Sequence, residues 1–222
     1  MTPAHIWIKI CANTSLEDAL LAAEAGADAV GFVFATSPRR VTSEQVASIV
    51  PQLPASLEKI GVFVDAPLEE IEATVRTSGL TGVQLHFPAA PDLPAKLRAH
   101  FGPALRILRV LHFSSEAAGA AATIMQDPNV DALMIDSRTA SAVGGTGQSF
   151  NWAFAAETLF QNTEASKLIV AGGLTPHNVA EAIATLRPWG VDVVSGVEAS
   201  PGRKDPAKVQ AFIANAHQRF QP

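Results

Sequence analysis

The chain of 222 residues contains one cysteine, Cys11, and no long apolar run. A single cysteine cannot form an internal disulfide, which excludes the disulfide scaffolds typical of small secreted proteins. The N-terminal residues lack a basic segment followed by a long apolar one, so we expect no signal peptide. No apolar run approaches the ~20 residues that a transmembrane helix needs. These absences predict a cytoplasmic protein that has no membrane partner.

Charged residues are also scarce, at 17% of the chain, and the formal net charge is −5. Proteins that bind nucleic acid usually carry a basic stripe, so this mild acidity predicts no nucleic-acid partner. Hydrophobic residues make up 48% of the sequence. That fraction predicts a large buried core rather than disorder. The composition leaves both a monomer and a homodimer open.

The sequence does contain a regular alternation of two kinds of segment. Short runs rich in Val, Ile, Leu and Phe are followed by Ala- and Glu-rich stretches with helical periodicity, eight times in succession. Nearly continuous apolar runs are typical of parallel strands that are buried on both faces. Eight such repeats predict one (β/α)8 (TIM) barrel domain over residues 1–222. An open doubly wound sheet is the alternative, but no early G-x-G-x-x-G marks a dinucleotide site.

The ends of the first two helices can be read from their flanking residues. Thr14 and Ser15, followed by acidic residues, predict the start of the first helix, and Gly26 predicts its end. Thr42 or Ser43 is the predicted cap of the second helix.

In a barrel of this kind, the residues that end the strands converge at one mouth, where active sites lie. Lys9 is the only lysine predicted near this mouth, where it would support the site electrostatically rather than form a Schiff base. The histidines are scattered and there is no second cysteine, so we expect no metal ion. The strand ends give the following candidate site residues: Cys11, Arg39, Gln84, His86, Asp136, Gly172, Gly173, Asp192, Ser195 and Gly196.

Glycines follow both of the last two predicted strands. Gly172 and Gly173 lie in AGGLTPHNV, and Gly196 lies in SGVEASPG beside Ser195. Glycine lets a backbone approach an anion closely, and the corresponding loops of such barrels often bind phosphate through N–H groups. Two adjacent loops of this composition favour a phosphate site over a pair of ordinary turns.

Cys11 and Asp136 end strands that would face each other across the mouth. A thiol and a carboxyl placed in this way can take and give a proton. The alternatives are a buried unreactive cysteine and an aspartate that caps a helix or forms a salt bridge. Arg39 could hold a carboxylate through two parallel hydrogen bonds, or be a solvated loop charge. The glycine-rich stretch 139–152 could be a lid or a plain surface loop.

Several segments, taken in order, resemble the phosphoribosylanthranilate isomerase family of tryptophan biosynthesis. They are KIC, GADAVGFVF, SPR, GVFV, VQLH, GGTGQSFNW, AGGLTPHNV, DVVSGVE and PGRKD, and the resemblance runs from about Ile8 to Phe212. The resemblance implies an Amadori rearrangement of N-(5-phosphoribosyl)anthranilate to 1-(2-carboxyphenylamino)-1-deoxyribulose 5-phosphate. It also implies that the reaction needs no cofactor.

The resemblance further implies a role for each candidate residue. Asp136 matches the general acid that opens the ribose ring, and Cys11 matches the general base that removes the C2 proton. Arg39 matches the residue that holds the anthranilate carboxylate. The other positions match the phosphate-binding loops, at Gly172, Gly173, Ser195 and Gly196, and the lining of the substrate pocket, at Gln84, His86 and Asp192.

Three residues depart from the family pattern near this site. Ala12 stands where glycine is usual, and its Cβ adds strain if the position requires a positive φ. Phe87 and Val194 replace a usual glycine and a usual serine. The rival interpretations are another phosphate-binding barrel isomerase and a non-catalytic barrel that binds phosphosugars. A binding protein would have no use for an acid–base pair.

Overall fold

The computed structural model describes residues 5–86, 89–113, 117–136, 152–160 and 167–217. Within these ranges, eight parallel strands pair in chain order and close into a barrel, which confirms the predicted (β/α)8 fold. The strands are β1 (Trp7–Ile10), β2 (Ala29–Val33), β3 (Glu58–Val64), β4 (Gly82–His86), β5 (Arg106–His112), β6 (Ala132–Asp136), β7 (Leu168–Ala171) and β8 (Gly190–Val193).

A helix follows each of these strands. The helices are α1 (Leu16–Ala25), α2 (Ser43–Ile49), α3 (Leu68–Ser78), α4 (Leu93–Phe101), α5 (Ala117–Met125), α6 (Trp152–Thr158), α7 (Val179–Leu186) and α8 (Pro206–His217). Among the described residues, no helix has both the length and the apolar character needed to cross a bilayer. Phe87 and most of the predicted lid, residues 139–151, lie outside the described residues.

Successive residues of each strand point alternately to the barrel interior and to the surrounding helices. In β1, Ile8 and Ile10 belong to the large core cluster between strands and helices, whereas Trp7 belongs to a second cluster inside the barrel. Because both faces are buried, the strands are apolar almost throughout. The same alternation places Lys9 and Cys11 on the interior side with Trp7.

Trp7 fills the barrel interior at the N-terminal ends of the strands. Its ring stacks on Trp189 with centroids 5.2 Å apart. A Cβ at Gly190, on the neighbouring strand β8, would lie 2.9 Å from the Trp7 ring. Glycine at this position therefore makes room for the indole. The polar residues of the barrel interior lie toward the C-terminal ends of the strands.

The predicted helix caps are confirmed. The Ser15 side chain accepts a hydrogen bond from the Asp18 N–H, and Gly26 ends α1 with a left-handed φ of 100°. Thr42 caps α2 in a reciprocal pair with Gln45, each side chain accepting a hydrogen bond from the backbone N–H of the other. Satisfied end groups fix where each helix begins and so fix the length of the preceding loop.

A short antiparallel ribbon follows β8 and was not predicted. It consists of β9 (Glu198–Ser200) and β10 (Arg203–Lys204), joined through Gly202, whose φ is 82°. Glu198 and Lys204 are paired across the ribbon and both are buried. The ribbon therefore brings one buried anion and one buried cation to the C-terminal end of the barrel.

Candidate active site

Cys11 lies directly after β1 and is buried, with 3% of its surface exposed. Its N–H donates to the Val193 carbonyl at 2.9 Å, and its own carbonyl accepts a hydrogen bond from Lys204 Nζ at 2.6 Å. Burial raises the pKa of the Cys11 thiol; the positive charge of Lys9 opposes this shift, and the negative charge of Asp192 reinforces it. The thiol therefore depends on a neighbouring cation if it is to lose its proton.

Asp136 is the last residue of β6 and is equally buried, at 3% exposed. Its Cα is paired with those of His112 on β5 and Ala171 on β7. The two-residue period of the strand places its side chain on the interior side with Met134. Asp136 and Cys11 thus lie at the same end of the barrel interior, on strands six and one.

Lys9 joins three of the predicted pocket residues into one buried network. Its Nζ donates to Gln84 Oε1 at 2.8 Å and to Asp192 Oδ1 at 2.7 Å. Gln84 Nε2 is in turn 2.9 Å from His86 Nε2. Burial alone would lower the pKa of Lys9, but the charge of Asp192 and the nearby Cys11 outweigh it and raise that pKa. The network therefore holds a charged ammonium inside the barrel.

The four predicted phosphate-binding residues line one small cleft between the loops that follow β7 and β8. They are Gly172, Gly173, Ser195 and Gly196. Gly172 and Gly173 have φ values of 85° and 67°, and a Cβ at Gly196 would overlap the Leu174 carbonyl. Backbone geometry therefore favours glycine at Gly172, Gly173 and Gly196. Exposed N–H groups in such loops suit an anion.

Arg39, on the loop after β2, forms a two-pronged ion pair with Glu198. Its Nε donates to Glu198 Oε1 at 2.7 Å, and its Nη2 donates to Oε2 at 2.6 Å. Glu198 also accepts the Gly202 N–H at 3.2 Å and lies 3.6 Å from Lys204 Nζ. Burial would raise the pKa of Glu198, but Arg39 and Lys204 outweigh burial and lower it. Glu198 therefore fixes the plane of the guanidinium.

The prediction that Lys9 is the only lysine near the mouth was wrong. Lys204 is 4% exposed and bonds the Cys11 carbonyl, because the ribbon folds back onto the end of β1. In the sequence, Lys204 was visible only as part of the segment PGRKD, which was matched to the family pattern without a role for the lysine. Glu198 was missed for the same reason. His112 was also missed; it is paired with Asp136 in register, and its ring lies 6.2 Å from that of His86.

We expected strain at Ala12 if its backbone had a positive φ, and the structure shows that it has one. Its φ is 62°, and it is 1% exposed. Of the other two departures, Val194 lies in the lining of the cleft between the last two loops.

A larger cavity, of about 330 Å³, lies between the loops before α3 and α4, and none of the predicted site residues line it. In the parts of the chain that the structure describes, no three His, Cys, Asp or Glu side chains are grouped so as to bind a metal ion.

Comparison with known proteins gives one consistent result. Residues 8–215 match the sequence model of the family described as N-(5'phosphoribosyl)anthranilate (PRA) isomerase. The protein named N-(5'-phosphoribosyl)anthranilate isomerase from Pelobacter propionicus is 46% identical over 209 residues, 94% of each chain. The protein of the same name from Trichlorobacter lovleyi is 43% identical over 212 residues, which cover 95% of this chain and 98% of that protein.

Solved structures agree with the sequence comparison. The crystal structure of phosphoribosyl anthranilate isomerase from Thermotoga maritima has a TM-score of 0.83 and 35% identity, covering 96% of this chain and 98% of its own. A crystal structure of phosphoribosyl anthranilate isomerase in complex with reduced 1-(o-carboxyphenylamino)-1-deoxyribulose 5-phosphate has a TM-score of 0.80 and 33% identity, with the same coverage.

Proposed function

Because the chain belongs to the N-(5'-phosphoribosyl)anthranilate isomerase family, we propose that it converts N-(5'-phosphoribosyl)anthranilate to 1-(2-carboxyphenylamino)-1-deoxyribulose 5-phosphate in tryptophan biosynthesis. The observation that carries the proposal is the match of residues 8–215 to this family. The placement of Cys11 and Asp136 at one end of the barrel interior adds to it. The enzyme would act in the cytoplasm as one barrel domain, without a cofactor.

Asp136 is the proposed general acid. Its proton would go to the ring oxygen of the ribose, so that the bond from C1 to that oxygen breaks and the open-chain Schiff base forms. Proton donation to a leaving oxygen by a positioned side chain is worth roughly 10²–10⁴-fold in rate. The position of Asp136 at the end of β6, beside the cleft between the loops after β7 and β8, supports this role.

Cys11 is the proposed general base. The thiolate would remove the proton from C2, and the electron pair would form the C1–C2 double bond of an enolamine. Uptake of a proton at C1 and loss of the proton of the C2 hydroxyl then give the ketone, so the rearrangement needs no oxidant or reductant. Cys11 directly follows the strand that pairs with β8, and the last residues of β8 line the cleft.

The two ends of the substrate have separate proposed binding groups. The phosphate would lie in the cleft lined by Gly172, Gly173, Ser195 and Gly196, where backbone N–H groups can bind it. The anthranilate carboxylate would be held by Arg39. A guanidinium has five N–H donors, so it can bind both Glu198 and a substrate carboxylate.

The proposal is tested by following the fluorescence of N-(5'-phosphoribosyl)anthranilate with the purified protein in a chelator-containing buffer. We expect rapid conversion to the carboxyphenylamino-deoxyribulose phosphate without added metal or nucleotide. Binding of reduced 1-(o-carboxyphenylamino)-1-deoxyribulose 5-phosphate is measured in parallel. If the protein bound that compound but did not turn over the substrate, the proposed isomerase activity would be refuted. A non-catalytic barrel that binds phosphosugars would then be favoured.

A further inference from the structure

Lys9 is among the largest fully buried side chains in the described residues, and its charge lies inside the barrel. Two of the three N–H donors of its ammonium group have the partners Gln84 Oε1 and Asp192 Oδ1. A buried charge is costly unless it is paired and hydrogen-bonded. The sequence therefore retains an expensive group two residues before Cys11, on the same side of the strand.

Gly31 on β2 explains how Lys9 and Cys11 come together. A Cβ at Gly31 would overlap Cys11 Sγ and would lie 3.0 Å from Lys9 Cε. The sulfur and the end of the lysine stem therefore both border the space that a side chain on β2 would fill. Because Gly31 has none, the thiol and the ammonium group lie beside each other.

Three charged groups act on the Cys11 thiol from the elements around it. Lys9 and Lys204 favour the anion, whereas Asp192 opposes it. Lys204 reaches the Cys11 backbone carbonyl and is compensated by Glu198, which also pairs with Arg39. Lys9 is the cation whose side chain lies beside the sulfur itself. Its removal would leave Lys204, whose charge also pairs with Glu198, as the remaining cation that acts on the thiol.

We propose that Lys9 is the positioning residue that stabilises the thiolate of Cys11, so that this buried sulfur can accept a proton. The inference rests on the proposed function, in which Cys11 is the general base. Asp192 holds the Lys9 ammonium in place and also weighs against the thiolate. Lys9 and Asp192 therefore have opposite effects on the same sulfur, although they form one ion pair.

The composition of the chain allows a direct test. It contains one cysteine and no tyrosine, so the ultraviolet absorbance of a thiolate can be followed to high pH without overlap from tyrosinate. The wild type is titrated beside Lys9→Met and Asp192→Asn, and Cys11→Ser supplies the baseline. Circular dichroism at each pH restricts the analysis to folded protein.

We expect Lys9→Met to move the titration midpoint of Cys11 upward by about one pH unit or more, because a cation next to the sulfur is lost. Asp192→Asn should move the midpoint downward, because an anion is lost. A merely structural role would loosen the barrel in both variants and shift both midpoints in the same direction. If Lys9→Met does not fold, Lys9→Gln, which also removes the charge, is titrated in its place and should shift the midpoint upward as well.

An unchanged midpoint in either variant, or two shifts of the same sign, would overturn the proposal. The titration contains no substrate, so its outcome is separate from that of the turnover assay. Opposite shifts in a protein that does not turn over would refute the proposed function and leave the role of Lys9 intact. Turnover of the substrate without opposite shifts of the Cys11 midpoint would refute only the role of Lys9 and leave the proposed function intact.

Discussion

At the scale of single residues, Ala12 has a backbone conformation that usually belongs to glycine. Its φ of 62° lies in the left-handed region, where a Cβ costs about 1–2 kcal/mol. The residue directly follows Cys11, the proposed base, and it is buried. Local strain is therefore stored next to the site, where surrounding structure must hold it.

Ala12→Gly should raise the free energy of unfolding by about 1 kcal/mol, because relief of the strain outweighs the extra entropy of glycine in the unfolded chain. Urea denaturation measures the change. Arg187 is the matched control, since it is exposed, ends α7 with a φ of 48° and lies away from the site. Arg187→Gly should give a similar gain with unchanged activity. A loss of stability in Ala12→Gly would show that packing of the methyl group stabilises the protein by more than the backbone strain destabilises it.

Gly31 offers a second test at this scale. Gly31→Ala should destabilise the protein by about 1–3 kcal/mol and reduce turnover, because the new methyl group overlaps the Cys11 sulfur. Gly119 on α5 is the control, since a Cβ there would have no atom within 4 Å. Gly119→Ala should instead stabilise the helix by up to about 1 kcal/mol. Denaturation curves and turnover rates compare the two. Unchanged stability and turnover in Gly31→Ala would argue against the close placement of Lys9 and Cys11.

At the scale of elements, the β9–β10 ribbon connects the loop after β2 to the end of β1. Glu198 at its start binds Arg39, and Lys204 at its end binds the Cys11 carbonyl. A ribbon of two and three residues has too few positions to show an alternating pattern, so the sequence did not reveal it. The longer strands and helices were predicted because their apolar periodicity extends over many residues, as in α1 between Ser15 and Gly26.

Arg39→Ala should raise KM more than it lowers kcat, because its proposed role is to bind the carboxylate in ground state and transition state alike. Steady-state kinetics with N-(5'-phosphoribosyl)anthranilate measure both constants. Arg40, the next residue on the same loop, is exposed, and Arg40→Ala is the control that should leave both unchanged. An unchanged KM in Arg39→Ala would discredit the carboxylate-binding role.

Glu198→Gln should lower the free energy of unfolding by about 2 kcal/mol at neutral pH, because Arg39 and Lys204 lose a buried anion. The folded protein lowers the pKa of Glu198. Its stabilisation is therefore complete above the ordinary carboxyl pKa of about 4.3 and is lost as the pH falls through the lower folded value. The wild type should approach the variant in stability over that acid range.

Denaturation series at several pH values measure this difference. The control is Glu17→Gln, which removes the exposed partner of Arg203 on the same ribbon. An exposed pair contributes little to stability, so this variant should follow the wild type at every pH. A stability difference between wild type and Glu198→Gln that stayed constant into acid would contradict the assigned role of the Glu198 charge.

At the scale of the whole molecule, closure of the barrel brings together residues that are far apart in sequence. Lys9 and Asp192 are register partners on β1 and β8 although 183 positions separate them. The strand ends alone predicted that Cys11 and Asp136 share one end of the barrel. The sequence predicted that Lys9 supports the site electrostatically, but not its hydrogen bonds to Gln84 and Asp192 or the Arg39–Glu198 pair, because these depend on barrel closure and on the directions of individual side chains.

The proposed isomerisation depends on one acid and one base that act on the same substrate from the ends of strands six and one. The most direct measurement is kcat/KM for N-(5'-phosphoribosyl)anthranilate in Cys11→Ser and Asp136→Asn, each shown to be folded by circular dichroism. We predict that each substitution lowers kcat/KM by roughly 10²–10⁴-fold relative to the wild type. Turnover at the wild-type rate in either variant would contradict the account, because the isomerisation would then have a proton route that does not pass through that residue.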